Sequence, residues 1–331
     1  MSTEPTPIRW GIMGTGGIAA RFVEGLRLVP GAEVVAVGSR AQATAEQFGE
    51  QWGIARRHGD YTSLATDDEV DVVYVATPHP GHHEASLLCL KAGRHVLCEK
   101  PLAMNATQAE EMIEAARSGE RFLMEGMWTR CQPAMVEIAR MVHSGEIGEV
   151  TTVTATFGER FPYDPHSRWF APELGGGALL DLGVYPVALA SMLLGEPTVL
   201  SAQAVRAPTG VDAQTGIVLT GANGGLATLT CSMVGRLPLR ATIAGTEATI
   251  EVTDWIHPTE FVVHRRDEEP QTLRFPREGN GFEYEGAHVG AMIAQGALES
   301  PLMSWQESLS IARTLDTVRE QIGLRYPEGV G

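Results

Sequence analysis

Ile8-Arg9-Trp10-Gly11-Ile12-Met13-Gly14-Thr15-Gly16-Gly17-Ile18-Ala19 decides how the first half of this chain folds. Ile8 to Met13 reads as a short buried strand, and the glycines follow it with no intervening loop. Gly14-Thr15-Gly16-Gly17-Ile18-Ala19 fits the pattern G-x-G-x-x-A. The first glycine permits a tight turn and the second lets a pyrophosphate approach the backbone. Ala19 is small enough for a helix to pack closely on the strand. Ile18, Phe22 and Leu26 recur at helical spacing, so the helix starting here aims its N-terminal amides at the phosphates.

The flanking sequence supports a nucleotide site. Ala32 to Gly38 is a second strand, ending in Gly38-Ser39-Arg40. An NAD-preferring fold places an acid near this point, whereas a hydroxyl and a guanidinium suit a 2′-phosphate. The expected cofactor is therefore NADP, with NAD as the alternative. Val70 to Ala76 is a third apolar run, closed by Thr77-Pro78-His79-Pro80 and followed by a helix over Gly81 to Ala92. His95-Val96-Leu97-Cys98-Glu99-Lys100-Pro101 carries another buried strand out to a Glu-Lys pair, and Pro101 stops further pairing. Ligands of open α/β sheets bind beyond the carboxyl ends of the strands. Thr77, Pro78, His79, His82, Glu99 and Lys100 are therefore expected around the cofactor. Asn105 caps a helix over Ala106 to Arg117, and Arg121 to Glu125 is a further strand. This alternation predicts a doubly wound parallel sheet with helices on both faces. His82 and His83 are adjacent and splay apart, with no acid or cysteine at ligand spacing, so no metal is expected.

At 331 residues the chain exceeds what one core prefers, and a division into 1–127 and 128–331 is expected. Twenty-five Lys and Arg against 41 Asp and Glu leave a net charge of −16, which argues against nucleic-acid and anionic-membrane binding. The four cysteines lack zinc-type spacing and read as buried, reduced thiols. Met1 to Pro7 is polar, and no run of about eighteen apolar residues is evident, so a soluble cytoplasmic protein is expected.

The pattern changes in the second half. Pro133 to Ser144 reads as a helix stopped by Gly145. Period-two runs follow at Val150–Phe157, Thr198–Val205, Gly216–Leu219, Leu226–Met233, Leu239–Ala244, Ala248–Val252 and Phe261–His264. They predict an α+β domain with a large, mostly antiparallel sheet. Its uncovered face would pair copies of the chain into a homodimer or homotetramer. Among these strands lies Leu174-Gly175-Gly176-Gly177-Ala178-Leu179-Leu180-Asp181-Leu182-Gly183-Val184-Tyr185-Pro186. Three glycines allow a close backbone approach. Asp181 and Tyr185 share a face if the segment is helical. If a helix instead restarts near Val184, Pro186 falls in its first turn and Asp181 in the entering loop. Arg168 and Trp169 precede this segment and are expected to line the cofactor or substrate cleft, with Trp128 and Phe161 as aromatic substrate contacts.

The Gly-x-Gly turn, Ala76-Thr77-Pro78, Glu99-Lys100-Pro101 and Gly175-Gly176-Gly177…Asp181…Tyr185 together resemble the glucose–fructose oxidoreductase/inositol dehydrogenase (Gfo/Idh/MocA) family over nearly the whole chain. Met124-Glu125-Gly126-Met127-Trp128-Thr129-Arg130 and Leu174 to Asp181 are most similar to its trans-dihydrodiol dehydrogenase and NADP-dependent xylose dehydrogenase branch. Tyr185 stands where many members have histidine, as in that branch, while Cys131 replaces the branch's usual aromatic. The resemblance implies hydride transfer where two domains meet, with a polyol, sugar or cyclic diol as substrate. It also implies that Lys100 and Tyr185 are the catalytic pair and that Asp181 orients lysine or substrate. A non-catalytic NADP-binding regulator on the same scaffold is the competing expectation, and it gives no reason for Lys100, Asp181 and Tyr185 to occur together.

Overall fold

Strands buried on both faces require nearly continuous apolar runs, and Trp10–Met13, Val72–Val75 and Val96–Cys98 supply them. The computed structural model describes residues 7–330. Its first sheet contains β1 (Ile8–Met13), β2 (Ala32–Gly38), β3 (Arg56–His58), β4 (Val72–Val75), β5 (His95–Glu99) and β6 (Leu123–Gly126), in the order β3-β2-β1-β4-β5-β6. Every pairing in it is parallel. The crossovers carry α1 (Gly17–Leu26), α2 (Gln42–Trp52), α3 (Tyr61–Ala65), α4 (His82–Lys91) and α5 (Ala106–Ser118). Strand order reverses between β1 and β4, which is where such sheets open a crevice at their carboxyl ends. β3 has no apolar signature in the sequence. It is held at the sheet's edge by Asp67, whose carboxylate accepts from Arg56 (2.6 Å) and lies 2.8 Å from His58 Nε2.

After α6 (Pro133–His143) the second sheet begins with β7 (Val150–Gly158), and α7 (Val184–Leu194) follows it. The remaining strands are β8 (Pro197–Arg206), β9 (Asp212–Gly221), β10 (Leu226–Ser232), β11 (Ala241–Gly245), β12 (Ala248–Val252), β13 (Glu260–Arg265) and β14 (Gln271–Arg274). The order is β14-β13-β12-β11-β7-β10-β9-β8, antiparallel except where β10 runs parallel to β7. α7 packs on β7, β9 and β10. The apolar stretch Pro172–Leu194 is long and apolar enough to cross a membrane by composition, contrary to expectation, yet nearly all of it is buried inside the fold. All four cysteines are buried and free.

The compact units of the fold are not continuous in sequence. The first compact unit takes in Thr107–Cys131 and, after the second sheet, Glu278–Trp305; the second unit holds Gln132–Arg277 and Gln306–Gly331. The cause is α8 (Phe282–Ala294), which returns to pack on α1, before α9 (Trp305–Ile322) ends the fold. Gly25 and Gly286 make the close approach possible. A Cβ on Gly25 would lie 2.9 Å from the Phe282 Cβ, and one on Gly286 would lie 2.6 Å from Leu26 Cδ1. Phe282 stacks on Trp128 at 5.0 Å and meets the edge of Phe22 at 6.2 Å. Phe282→Ala should therefore cost about 3–5 kcal/mol of stability. Urea unfolding followed by tryptophan fluorescence measures it, and a loss below ~1 kcal/mol would place the ring outside the core.

Candidate active site

In the first unit, the carboxyl ends of β1, β2, β4 and β5 gather the expected nucleotide-binding residues. Gly14 sits at φ +114°, and a Cβ there would lie 2.6 Å from the Ala76 carbonyl oxygen, so this turn closes only on glycine. Around Gly16 and Gly17 the opposite holds: an added Cβ would meet nothing within 4 Å. Gly16 is the extended N-cap of α1, with no side chain bonded to the helix amides and no acid in the first turn. Open space in front of an uncapped helix start fits a pyrophosphate. Thr15 and Ile18 are partly exposed beside it.

At the end of β2, the buried Ser39 hydroxyl lies 2.6 Å from that of Thr44, and Arg40 is exposed. No carboxylate stands in the Gly38-Ser39-Arg40 segment. After β4, the Thr77 hydroxyl is buried without a partner among the described residues, beside the exposed Pro78. His79 and His82, both expected at the cofactor, are buried. His82 has Nδ1 2.8 Å from the Pro101 oxygen and Nε2 2.9 Å from the Thr77 oxygen, so its ring ties the β4 and β5 loops together. Burial holds its pKa below the usual histidine value. His79 packs edge-on to it at 5.7 Å. Glu99 is buried and accepts a hydrogen bond from the Tyr74 hydroxyl, while partly exposed Lys100 follows at the strand's end.

In the second unit, the three glycines form a turn that no other residue type would fit. Gly177 has φ +127°, and a Cβ on Gly176 would lie 2.8 Å from the Trp169 carbonyl oxygen. Leu179–Gly183 then forms a π-helical turn that leads into α7, so the two readings of this segment merge: Asp181 is helical and Pro186 still lies in the first turn of α7. A proline inside a regular helix clashes with the carbonyl four residues back, and the wide turn relieves that conflict. Asp181 and Tyr185 are 6% and 8% exposed. Both Asp181 oxygens receive a guanidinium nitrogen of Arg168 at 3.3 Å. The Tyr185 ring stands edge-on to Phe157 at 5.4 Å.

The aromatic residues divide. Trp169 is sandwiched, with Phe161 parallel to it at 4.3 Å and the Arg168 guanidinium 5.2 Å away on its ring. Both are thus in part occupied with each other, but the Trp169 Nε1 hydrogen is buried with no acceptor among the described residues. Trp128, expected at the substrate, is 4% exposed and stacked on Phe282, which makes it core of the first unit. Cys131 is likewise a buried thiol, its pKa pushed up by burial. Asp212, Tyr326, Tyr74 and Glu285 were not anticipated, because an isolated acid or phenol far from any motif carries no local signal.

Two family descriptions match this chain. "Oxidoreductase family, NAD-binding Rossmann fold" covers residues 8–127, and "GFO/IDH/MocA C-terminal domain" covers residues 135–251. Trans-1,2-dihydrobenzene-1,2-diol dehydrogenase of Danio rerio is 38% identical, over 97% of this chain and 98% of that protein. The Sus scrofa protein of that name is 37% identical over the same shares. A 3-ketoreductase from Actinomadura kijaniata, solved with NADP and TDP-benzene, superposes with a TM-score of 0.84 at 30% identity, covering 96% of this chain and 98% of that one. Levoglucosan dehydrogenase shares the fold at a TM-score of 0.88 and 20% identity, over 96% and 98% of the two chains. With a dinucleotide fold, a glycine-shielded Asp–Tyr helix and full-length relatives of this kind, the chain belongs to the Gfo/Idh/MocA oxidoreductase family and is an enzyme acting on CH–OH groups.

Proposed function

We propose that this enzyme is NADP-dependent and moves a hydride between the nicotinamide and a secondary or anomeric hydroxyl of a sugar or cyclic diol. The observation that carries the reading is the placement of Asp181 and Tyr185 one helical turn apart, both shielded, directly after a turn that only glycine can make. The relatives named for a cyclic diol and the 3-ketoreductase solved with NADP support the substrate and cofactor classes.

The bound nicotinamide would supply the hydride acceptor or donor. Gly14, Thr15, Gly16, Gly17 and Ile18 hold the pyrophosphate with backbone amides; Thr77, Pro78, His79 and Glu99 shape the strand-end loops, with His82 bracing them. Ser39 and Arg40 bind the 2′-phosphate, a charge-assisted contact for which NADH has no equivalent group. Tyr185 takes the alcohol proton as hydride leaves, or returns it in the reverse direction. A phenol titrates near ~10 unaided, so a neighbouring cation is needed for it to act near neutrality. Lys100 supplies that charge and steadies the developing alkoxide. Asp181 orients lysine or substrate, and Arg168, Trp169 and Phe161 form a wall beside it.

Homo-oligomerisation through the open face of the second sheet is part of the proposal. The cross-strand register puts Val199, Val205, Val218 and Leu226 on one face, and each is at least 43% exposed.

Reduction of NADP⁺ across aldoses, inositols and dihydrodiols tests the activity; tight cofactor binding with no turnover on any of them would replace it with the regulator reading. Tyr185→Phe and Lys100→Met should each lower kcat by about 10²–10⁴-fold while the NADPH Kd, read by fluorescence, stays within a few-fold. Full activity in either variant refutes its assigned role. Arg40→Ala should weaken NADPH far more than NADH in the same titration, and equal weakening would show that the guanidinium does not read the phosphate. Val199→Asp with Val218→Asp should shift the species seen by light scattering toward monomer if the sheet face is the interface.

A further inference from the structure

Against the glycine turn lies a carboxylate that the mechanism above does not use. Asp212 begins β9 and is completely buried. Its Oδ2 accepts from the Leu179 backbone N–H at 2.7 Å and from the Thr215 hydroxyl at 2.7 Å. Leu179 is the first residue of the π turn, so this bond fixes the start of the helix that carries Asp181 and Tyr185. Asp212 Oδ1 has no hydrogen-bond partner among the described residues and faces the Gly177 backbone, where a Cβ would lie only 2.3 Å from it. Tyr326 holds the same turn from another side, its hydroxyl donating to the Gly176 oxygen at 2.7 Å. The Gly177 N–H is bound to the Trp169 oxygen at 2.9 Å.

We propose that Asp212 is a positioning residue for catalysis: through Leu179 and Gly177 it sets where Asp181 and Tyr185 stand, without touching substrate or cofactor. A buried polar group with one empty oxygen is costly to keep. A simple helix cap needs neither complete burial nor a charge, since Ser, Thr or Asn caps as well at less cost. What a carboxylate adds is a second state. Burial raises the Asp212 pKa to about 7, against the opposing pull of Thr215, Leu179 and Arg206. The groups facing it are Arg206 from β8, which donates to the Gly210 and Ile322 carbonyls, the thiol of Cys231 from β10 and the phenol of Tyr326. Burial holds both the thiol and the phenol in their protonated forms, so neither titrates near neutrality. Asp212 is thus the group among these that changes charge near neutrality, and it does so against the first residue of the catalytic helix.

The role rests on the oxidoreductase reading, and the test separates the two. In the full-length protein, Asp212→Asn keeps one oxygen for Leu179 and Thr215 but cannot ionise, whereas Asp212→Ala removes the anchor. Asp212→Ala should lower kcat about 10- to 100-fold with the NADPH Kd unchanged, and Asp212→Asn should restore most of it. The wild-type kcat should show an inflection near pH 7 that Asp212→Asn lacks. A second readout needs no turnover. A carboxyl whose folded pKa is raised gives up stability as pH climbs from the ordinary carboxylate range to about 7. The melting temperature of Asp212→Asn relative to wild type should therefore rise between pH 5 and pH 8. If no substrate is turned over, the oxidoreductase reading fails while this comparison still reports whether Asp212 titrates against the helix. Should Asp212→Ala fail to fold, Asp212→Asn alone decides. An unchanged pH profile together with an unchanged melting difference overturns the proposal, as does full kcat in a folded Asp212→Ala.

Discussion

The closeness of two backbones governs the first unit. The turn after β1 presses against the end of β4 until Gly14 has no room for a single carbon, because the Ala76 carbonyl already fills that position. Everything that makes the unit able to bind a dinucleotide follows from this contact. It lets α1 begin at once, without a side-chain cap, so that its amides face open space. The Thr77 hydroxyl, which follows β4, is buried with no partner among the described residues. A chain with alanine at position 14 would have to separate these strands or abandon the turn, and either change would move the amides away from a phosphate.

The second unit solves a related problem by a different means. The segment that carries Asp181 and Tyr185 is tied down by hydrogen bonds to the Trp169 and Gly176 carbonyls and to a buried acid. Rigid elements fix side chains better than loops do, and here a π turn joined to α7 supplies the rigidity. The energetic cost is concentrated at Asp212, which is buried without full compensation. Stability given up beside an active site is a common signature of positioning.

Legibility in the sequence followed locality. The G-x-G-x-x-A turn, the β5 Glu-Lys-Pro ending and the triple glycine each announce their backbone conformation through neighbouring residues, and each lies where it was expected. β9 proved longer than its apolar core, because Asp212 and Gln214 enter the ladder through hydrogen bonds rather than hydrophobic pattern. β3 and β14 were unreadable since both are short and mostly polar or charged. His82, Glu99 and Trp128 are buried, and the direction of such side chains depends on partners far away in sequence. The same limitation hid the discontinuous make-up of the first unit: nothing near α8 says that its partner is α1.

That return of α8 has a consequence for how the polypeptide matures. During synthesis, residues 132–277 emerge before the segment that completes the dinucleotide unit. Until Phe282 arrives, Phe22, Leu26 and Trp128 lack their covering helix, and the second unit in turn waits for its own last segment, which follows Trp305. Neither unit can therefore close its core until the ribosome has passed residue 277, and each half of the nascent chain stays open until a late segment returns to it.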